Sequence, residues 1–178
     1  TNTSELNYDN YVLLSRAPVV GATYVAKVAA SKSELSSAQT TLPSWQTDAR
    51  NSVTTSQSEF TAAVNSADLT RLKNLLLARV DQANTRQDSV NTLTRGFDAK
   101  LAEFKADVTQ LNNNPDGQVS DAELQQFNVA LAEFETALTA YKTAQNSDLT
   151  DAVATLAAMQ SKVSGVLDDT ATAAQLAT

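Results

Sequence analysis

The chain has no cysteine and no histidine among its 178 residues. Without cysteine there are no disulfides, thiolate metal sites or cysteine nucleophiles. Without histidine the Ser-His-Asp triad, the commonest general base and the usual zinc, copper and haem ligands are missing. These absences do not exclude a hydrolase that uses only carboxylates, but such an enzyme needs a cleft in which Asp or Glu side chains converge. The helical periodicity described below leaves little room for such a cleft, and we predict that the protein is not an enzyme.

Long apolar runs and basic clusters are also absent. The most apolar-leaning stretch, Ala17 to Ala30, is too short to cross a bilayer and contains Lys27. The formal charge is -7, from 13 basic and 20 acidic residues, and no stretch concentrates Lys and Arg. These features predict a chain with no membrane span and no nucleic-acid partner.

Several weaker signals concern location. The chain lacks Cys, is rich in Ser, Thr, Asn, Gln and Ala, and begins Thr-Asn-Thr without a leader. A mature bacterial protein from which a targeting segment has been removed has this appearance. We therefore expect an extracytoplasmic location, which covers secreted, periplasmic and cell-surface proteins.

Apolar residues recur at a helical spacing along most of the chain. Only 4 Gly and 3 Pro interrupt it, and 42% hydrophobic residues are enough for one core, so we expect a single domain over residues 1–178. Downstream of Ser120 the stripe has a 3-4 spacing, and it resumes after a break at which Ser147 or Asp148 can cap a new helix. The residues in these two stripes are Leu124, Phe127, Leu131, Phe134, Leu138 and Tyr141, followed by Leu149, Val153, Leu156, Val163 and Val166.

Comparable stripes occupy the first two thirds of the chain. Ser66 is the expected cap of a helix of about 43 residues, and Pro43 is expected to separate two further helices, with Pro18 in the first turn of the earlier one. Residues 1–16 fit either a short helix or an arm. The stripes are Leu69, Leu72, Leu76, Ala83, Val90, Leu93, Phe97, Leu101, Phe104, Val108 and Leu111; Tyr24, Val28, Leu35, Ala38 and Leu42; and Trp45, Ala49, Val53, Phe60 and Val64. The predicted fold is all-α, an elongated antiparallel bundle of four or five long amphipathic helices.

The segment "NNNPDGQVSDAE", residues 112–123, lies between two of these helices. One interpretation is a turn: Asn112 to Asn114 end a helix, and Pro115-Asp116-Gly117 make a tight turn. Ser120 then caps the next helix, and Glu123 completes a capping box with it. This interpretation explains most of the residues without a metal.

The same segment resembles the calcium-binding loop of EF-hand proteins, whose pattern is D-x-[DN]-x-[DN]-G-x5-E. Gly117 stands at the sixth position, where the loop turns sharply, and Val119 matches an apolar preference at the eighth. The resemblance implies one Ca²⁺ ion held by oxygen ligands. The implied ligands are Asn112, Asn114, Asp116, Gln118 through its carbonyl, Ser120 and Glu123.

Two departures from the EF-hand pattern limit what the resemblance implies. Asn112 replaces the Asp that the family has at the first position, so only Asp116 and Glu123 are charged ligands. The chain has no second loop of this type, although EF-hands usually work in pairs. We therefore expect a structural site that joins two helices, with a dissociation constant of about 0.1 to 1 mM.

Arg79 and Arg86 lie seven residues apart on the apolar seam of the long helix, with Asn84 and Asn91 nearby. They either line a polar slot between helices for an anionic ligand, or they mark a solvated kink or make a few hydrogen bonds between helices that set their register.

Three classes of function remain. The first is an exported or cell-surface helical-bundle protein that binds a protein or small-molecule partner, stiffened by one Ca²⁺, with formation of a homodimer left open. The second is the extracytoplasmic ligand-sensing domain of a transmembrane receptor of the chemoreceptor or sensor kinase type, which rests on fold-level analogy. The third is a secreted lipid-binding or pore-forming helical protein. We favour the first.

Overall fold

The structure is a computed structural model that describes residues 2–113 and 120–169, with side chains from residue 24 onward. No strand occurs among these residues, and the all-α prediction is confirmed. Within the same part of the chain, no helix has a stretch that is both long and apolar enough to cross a bilayer. The helices are α1 (Asn2–Ala62), α2 (Ser66–Asn112), α3 (Asp121–Ala144) and α4 (Asp148–Asp168).

Helix α1 continues through Pro43, so the prediction that this proline separates two helices is wrong. Pro43 has no backbone N–H to donate to the Gln39 carbonyl, and a proline inside a helix costs about 3 kcal/mol. The helix persists because its seam is buried on both sides of the proline, at Leu42 and Ala49. Pro18 also lies inside α1 and not in its first turn.

The chain forms two compact units, and α1 and α2 contribute to both. Unit 1 consists of Thr1–Gln39 and Leu93–Thr143, and unit 2 consists of Thr40–Thr92 and Ala144–Thr178. Each unit is therefore a bundle of three helical segments, with α3 as the third segment in unit 1 and α4 as the third in unit 2.

Unit 1 has an aromatic core. Tyr24 of α1 packs edge-on against Phe104 of α2 and Phe127 of α3, with ring centroids 5.8 and 5.1 Å apart. Phe104 also meets Phe134 edge-on, at 5.4 Å. Such edge-to-face pairs add about 0.5–1.5 kcal/mol each beyond the area they bury.

The core of unit 2 is aliphatic and includes polar side chains. Ser56 is fully buried, and Gln46 is 8% exposed. Both lie on the α1 seam, where an apolar residue would be expected. The buried apolar residues of unit 2 are Leu42, Ala49, Leu69, Leu72, Leu76, Ala83, Val90, Leu149, Ala152, Leu156 and Val163.

Three apolar residues predicted in the seams are exposed instead. Leu93 is 38% exposed, Phe60 36% and Val64 65%. The α1 seam runs from the buried Ser56 towards Glu59, which leaves Phe60 on the outer side of the helix. These three residues therefore belong to the surface.

The helix caps differ in part from the expectation. Ser66 is the first residue of α2, and Asn65 before it is the cap, because its Oδ1 accepts a hydrogen bond from Asp68 N at 2.8 Å. Ser147 precedes α4 but makes no side-chain capping bond. The amide of Asp148 donates to Asn146 Oδ1 at 2.9 Å instead. Backbone N–H groups at the starts of α2 and α4 are therefore bound by Asn65 and Asn146, and not by the expected serines.

Candidate functional site

The described part of the predicted calcium loop lies at the ends of two helices of unit 1. Asn112 is the last residue of α2, Ser120 directly precedes α3, and Glu123 lies in the first turn of α3. All three side chains are exposed. The other predicted ligands, Asn114, Asp116 and Gln118, lie outside the described residues.

Ser120 and Glu123 form the capping box that the turn interpretation predicts. Glu123 N donates to Ser120 Oγ at 3.2 Å, and Ser120 N donates to Glu123 Oε2 at 3.2 Å. This confirms the cap, which satisfies two N–H groups at the start of α3. A bidentate carboxylate contact to a metal needs both oxygens of Glu123, so metal binding would draw Oε2 away from the Ser120 amide.

No group of three or more Asp or Glu side chains that could hold a metal occurs among the described residues. The loop's two expected charged ligands are Asp116 and Glu123, and the first of them lies outside that part of the chain. The calcium site stays a prediction.

Tyr24 contacts both helices that flank the loop, through Phe104 on α2 and Phe127 on α3. The side chain is 2% exposed, and its hydroxyl has no hydrogen-bond partner within the described residues. Burial, together with the negative charge of Asp107, raises the pKa of Tyr24 to about 12. Tyr24 therefore fixes the two flanking helices against each other while keeping a neutral phenol in an apolar setting.

The polar seam of α2 lies in unit 2, and carboxylates of α1 satisfy it. Arg79 makes two parallel hydrogen bonds to Glu59, both at 3.1 Å, and donates to Ser56 Oγ at 2.8 Å. Arg86 donates to Asp48 Oδ2 at 3.1 Å. The structure thus favours the interhelical interpretation, because the protein supplies the anions itself.

Trp45 completes the surroundings of Arg86. The guanidinium carbon lies 5.3 Å from the centroid of the Trp45 ring, within the range of a cation–π contact. Arg86 therefore stacks on one α1 side chain and pairs with another, which fixes the register of α1 and α2 in unit 2.

The junction between α3 and α4 is held by two side chains of α1. Gln46 Nε2 donates to the carbonyl of Ala144, the last residue of α3, at 3.0 Å, and Arg50 pairs with Asp148, the first residue of α4. Neither residue was predicted from the sequence. The signal available was Gln46 itself, a polar side chain directly beside Trp45 on a buried stripe.

An open groove runs between α1 and α4 in unit 2, with a volume of about 500 Å³. Phe60 and Met159 are its large apolar lining residues, and Lys162 is the one charged residue among the described residues that line it. Its α4 side also includes Ala154, Thr155 and Ala158, so small side chains line most of that wall.

Comparisons with protein-family models, with curated proteins and with solved structures find no match to this chain.

Proposed function

We propose that the chain is a non-enzymatic helical-bundle binding protein of the exported or cell-surface class, stiffened by one Ca²⁺ ion in the loop at residues 112–123. The observation that carries the metal part is the position of Asn112, Ser120 and Glu123. They are exposed at the C-terminal end of α2 and at the start of α3, the two helices that Tyr24 joins. A helix–loop–helix with oxygen ligands at its ends suits a hard cation.

The binding part of the proposal is supported by the open groove in unit 2. Phe60, an aromatic side chain, is 36% exposed beside it. Aromatic side chains and Met are enriched at the cores of protein interfaces. A protein partner therefore fits this surface better than an enclosed small molecule does, because small-molecule sites bury most of the ligand's surface.

Calorimetric titration of Ca²⁺ into chelator-treated protein tests the metal site directly. The expected result is one site per chain with a dissociation constant of about 0.1 to 1 mM, and a melting temperature that rises with Ca²⁺ because the metal binds only the folded chain. Glu123→Gln should abolish the binding heat. Glutamine can still make the capping bond to Ser120 N, so helix α3 keeps its start.

Asp121→Asn is the matched control. Asp121 and Glu123 are both acidic residues of the first turn of α3, and both are exposed. Asp121 falls at a position of the loop that supplies no ligand in the EF-hand pattern. Equal losses in the two variants would indicate a diffuse charge effect, and no heat in the unaltered protein at several times the expected dissociation constant would reject the metal site.

We also propose how the helices are arranged. The proposed arrangement is an elongated antiparallel bundle of four or five helices. Its antiparallel direction is supported for α1 and α2 inside unit 2, where Arg86 meets Asp48 and the earlier Arg79 meets the later Glu59. Small-angle X-ray scattering tests it, because an elongated bundle has a larger radius of gyration than a globule of this length. An extracytoplasmic location is tested by fractionating cells of the source organism.

A further inference from the structure

Between Asp151 and Lys162, helix α4 presents mostly small, uncharged side chains to the groove of unit 2. Ala154 and Ala158 are exposed one turn apart, and Thr155 lies between them on the groove side. Small side chains let the backbone of a second helix approach closely. A wall of this kind does not by itself identify a partner.

The charges at the two ends of this wall provide the second observation. Asp151 and Lys162 are exposed, and within the described residues neither has an ion-pair partner. Most of the other described cations do have a carboxylate within reach, including Lys32, Arg50 and Lys142. The Asp151 carboxylate accepts one hydrogen bond, from Ser147 Oγ at 2.8 Å.

Asp151 and Lys162 lie on one face of α4 with opposite charges. Eleven residues separate them, which is close to three turns of helix and about 16 Å along the axis. Thr155 and Ala158, which line the groove, continue the same face between them. One helix therefore carries a negative charge, a small-residue wall and a positive charge in that order.

Such a face is complementary to the same face of a second copy that runs in the opposite direction. A two-fold axis midway between Asp151 and Lys162 sets Lys162 of each copy opposite Asp151 of the other copy. The same axis sets Met159 opposite Ala154, a large flexible side chain facing a small one. Two-fold symmetric interfaces need this kind of self-complementarity, in which one patch serves both partners.

We propose that unit 2 binds a second copy of this chain through α4, with the two α4 helices antiparallel across the grooves. Met159 and Phe60 form the apolar centre, and two symmetric Asp151–Lys162 pairs form the rim. Rim charges of this kind mainly set orientation and register. The occupant is a second copy because one surface carries both charges, so that a two-fold axis midway between them pairs each charge with its opposite on the other copy.

Sedimentation equilibrium of the full chain at low salt tests the proposal through a pair of charge reversals. The unaltered protein should form a concentration-dependent dimer. Lys162→Glu and Asp151→Lys should each weaken the dimer by about tenfold or more, because each places two like-charge pairs across the interface. An equimolar mixture of the two variants should recover the dimer, since every facing pair is then opposite in charge.

The mixture also controls for misfolding, because a variant that failed to fold could not be rescued by its partner. Phe60→Ser provides an independent variant that should weaken the dimer without altering a charge. A monomer at about 1 mM, single variants that dimerise normally, or a mixture that stays monomeric would each overturn the proposal. The experiment is run with chelator, so its result does not depend on whether the calcium site exists.

Discussion

Arg79 and Glu59 form a two-pronged pair in unit 2, in which Nη1 donates to Oε2 and Nη2 donates to Oε1, each at 3.1 Å. Their side chains are 20% and 29% exposed, so both charges are largely removed from water. Paired geometry of this kind is the strong form of an Arg–carboxylate contact.

Removal of one partner should therefore be more harmful than replacement of both. Glu59→Ala leaves the Arg79 guanidinium half-buried with Ser56 as its remaining acceptor, and we expect a loss of about 1–2 kcal/mol. The double variant Glu59→Leu with Arg79→Leu should be close to neutral, because it leaves no unpaired charge. Urea unfolding measures both.

Glu34→Ala is the control for this pair, since Glu34 is an exposed α1 carboxylate without an ion pair within the described residues. It should change the free energy of unfolding by less than about 0.5 kcal/mol. A Glu59→Ala variant as stable as Glu34→Ala would show that the Arg79 pair contributes nothing to folding.

Gln46 and Gln39 make the same type of bond in different settings. Gln46 Nε2 donates to Ala144 O at 3.0 Å, and Gln39 Nε2 donates to Ala137 O at 2.9 Å. Ala144 ends α3, whereas Ala137 lies inside it, where the helix already uses its carbonyl. Gln46→Ala should therefore cost about 1–3 kcal/mol and Gln39→Ala less than half as much, by thermal or urea melts. Equal losses would contradict the capping role of Gln46.

Ser120 and Ser147 precede α3 and α4, but only Ser120 makes a side-chain capping bond to a backbone amide. Ser120→Ala should cost about 1 kcal/mol and reduce protection of the first α3 amides in hydrogen exchange. Ser147→Ala removes its bond to the Asp151 side chain, and we expect a smaller loss of a few tenths of a kcal/mol. The reverse order of the two losses would be inconsistent with the observed caps.

Ionisation of Tyr24 should lower the stability of the folded chain at alkaline pH. Its pKa is raised from the ordinary value of 10.0 to about 12, so folding favours the neutral phenol. The resulting contribution to stability is complete below pH 10.0 and is lost as the pH rises through about 12. Burial of Tyr141 raises its pKa as well and acts in the same direction.

The variant Tyr24→Phe separates the two tyrosines. It should reduce the fall in unfolding free energy at alkaline pH and leave stability at pH 7 unchanged or slightly higher, because the hydroxyl has no described partner. Tyrosinate absorbance during a pH titration gives the second readout. If Tyr24→Phe unfolds at alkaline pH as the unaltered protein does, the loss of stability there comes from Tyr141 or from the overall negative charge of the chain.

Sequence periodicity predicted α3 well because its buried stripe uses large residues, among them Phe127, Phe134 and Tyr141. It failed at Pro43, where tertiary burial on both sides outweighs the local penalty. It also failed at Phe60, because the seam at that level is occupied by Ser56 and Glu59, which are not apolar.

In the candidate sites, too, contacts that are local in sequence could be predicted and contacts between helices could not. The capping box of Ser120 and Glu123 could be predicted because its residues are three apart in sequence. The partners of Arg79 and Arg86 could not, since Glu59 and Asp48 lie 20 and 38 residues away and no local pattern joins them. Contacts of this kind become visible only when the register between helices is known.

The sequence distances between contacting helices also bear on the order of folding. Lys105 meets Glu135 across 30 residues, whereas Lys32 meets Glu133 across 101 and Arg50 meets Asp148 across 98. Closing a loop of about a hundred residues carries more entropy loss than closing one of thirty. The contacts of α2 with α3, and those of α1 with α2 that Arg79 and Glu59 make across 20 residues, should therefore form early. The contacts of α1 with α3 and α4 should form last and limit the folding rate.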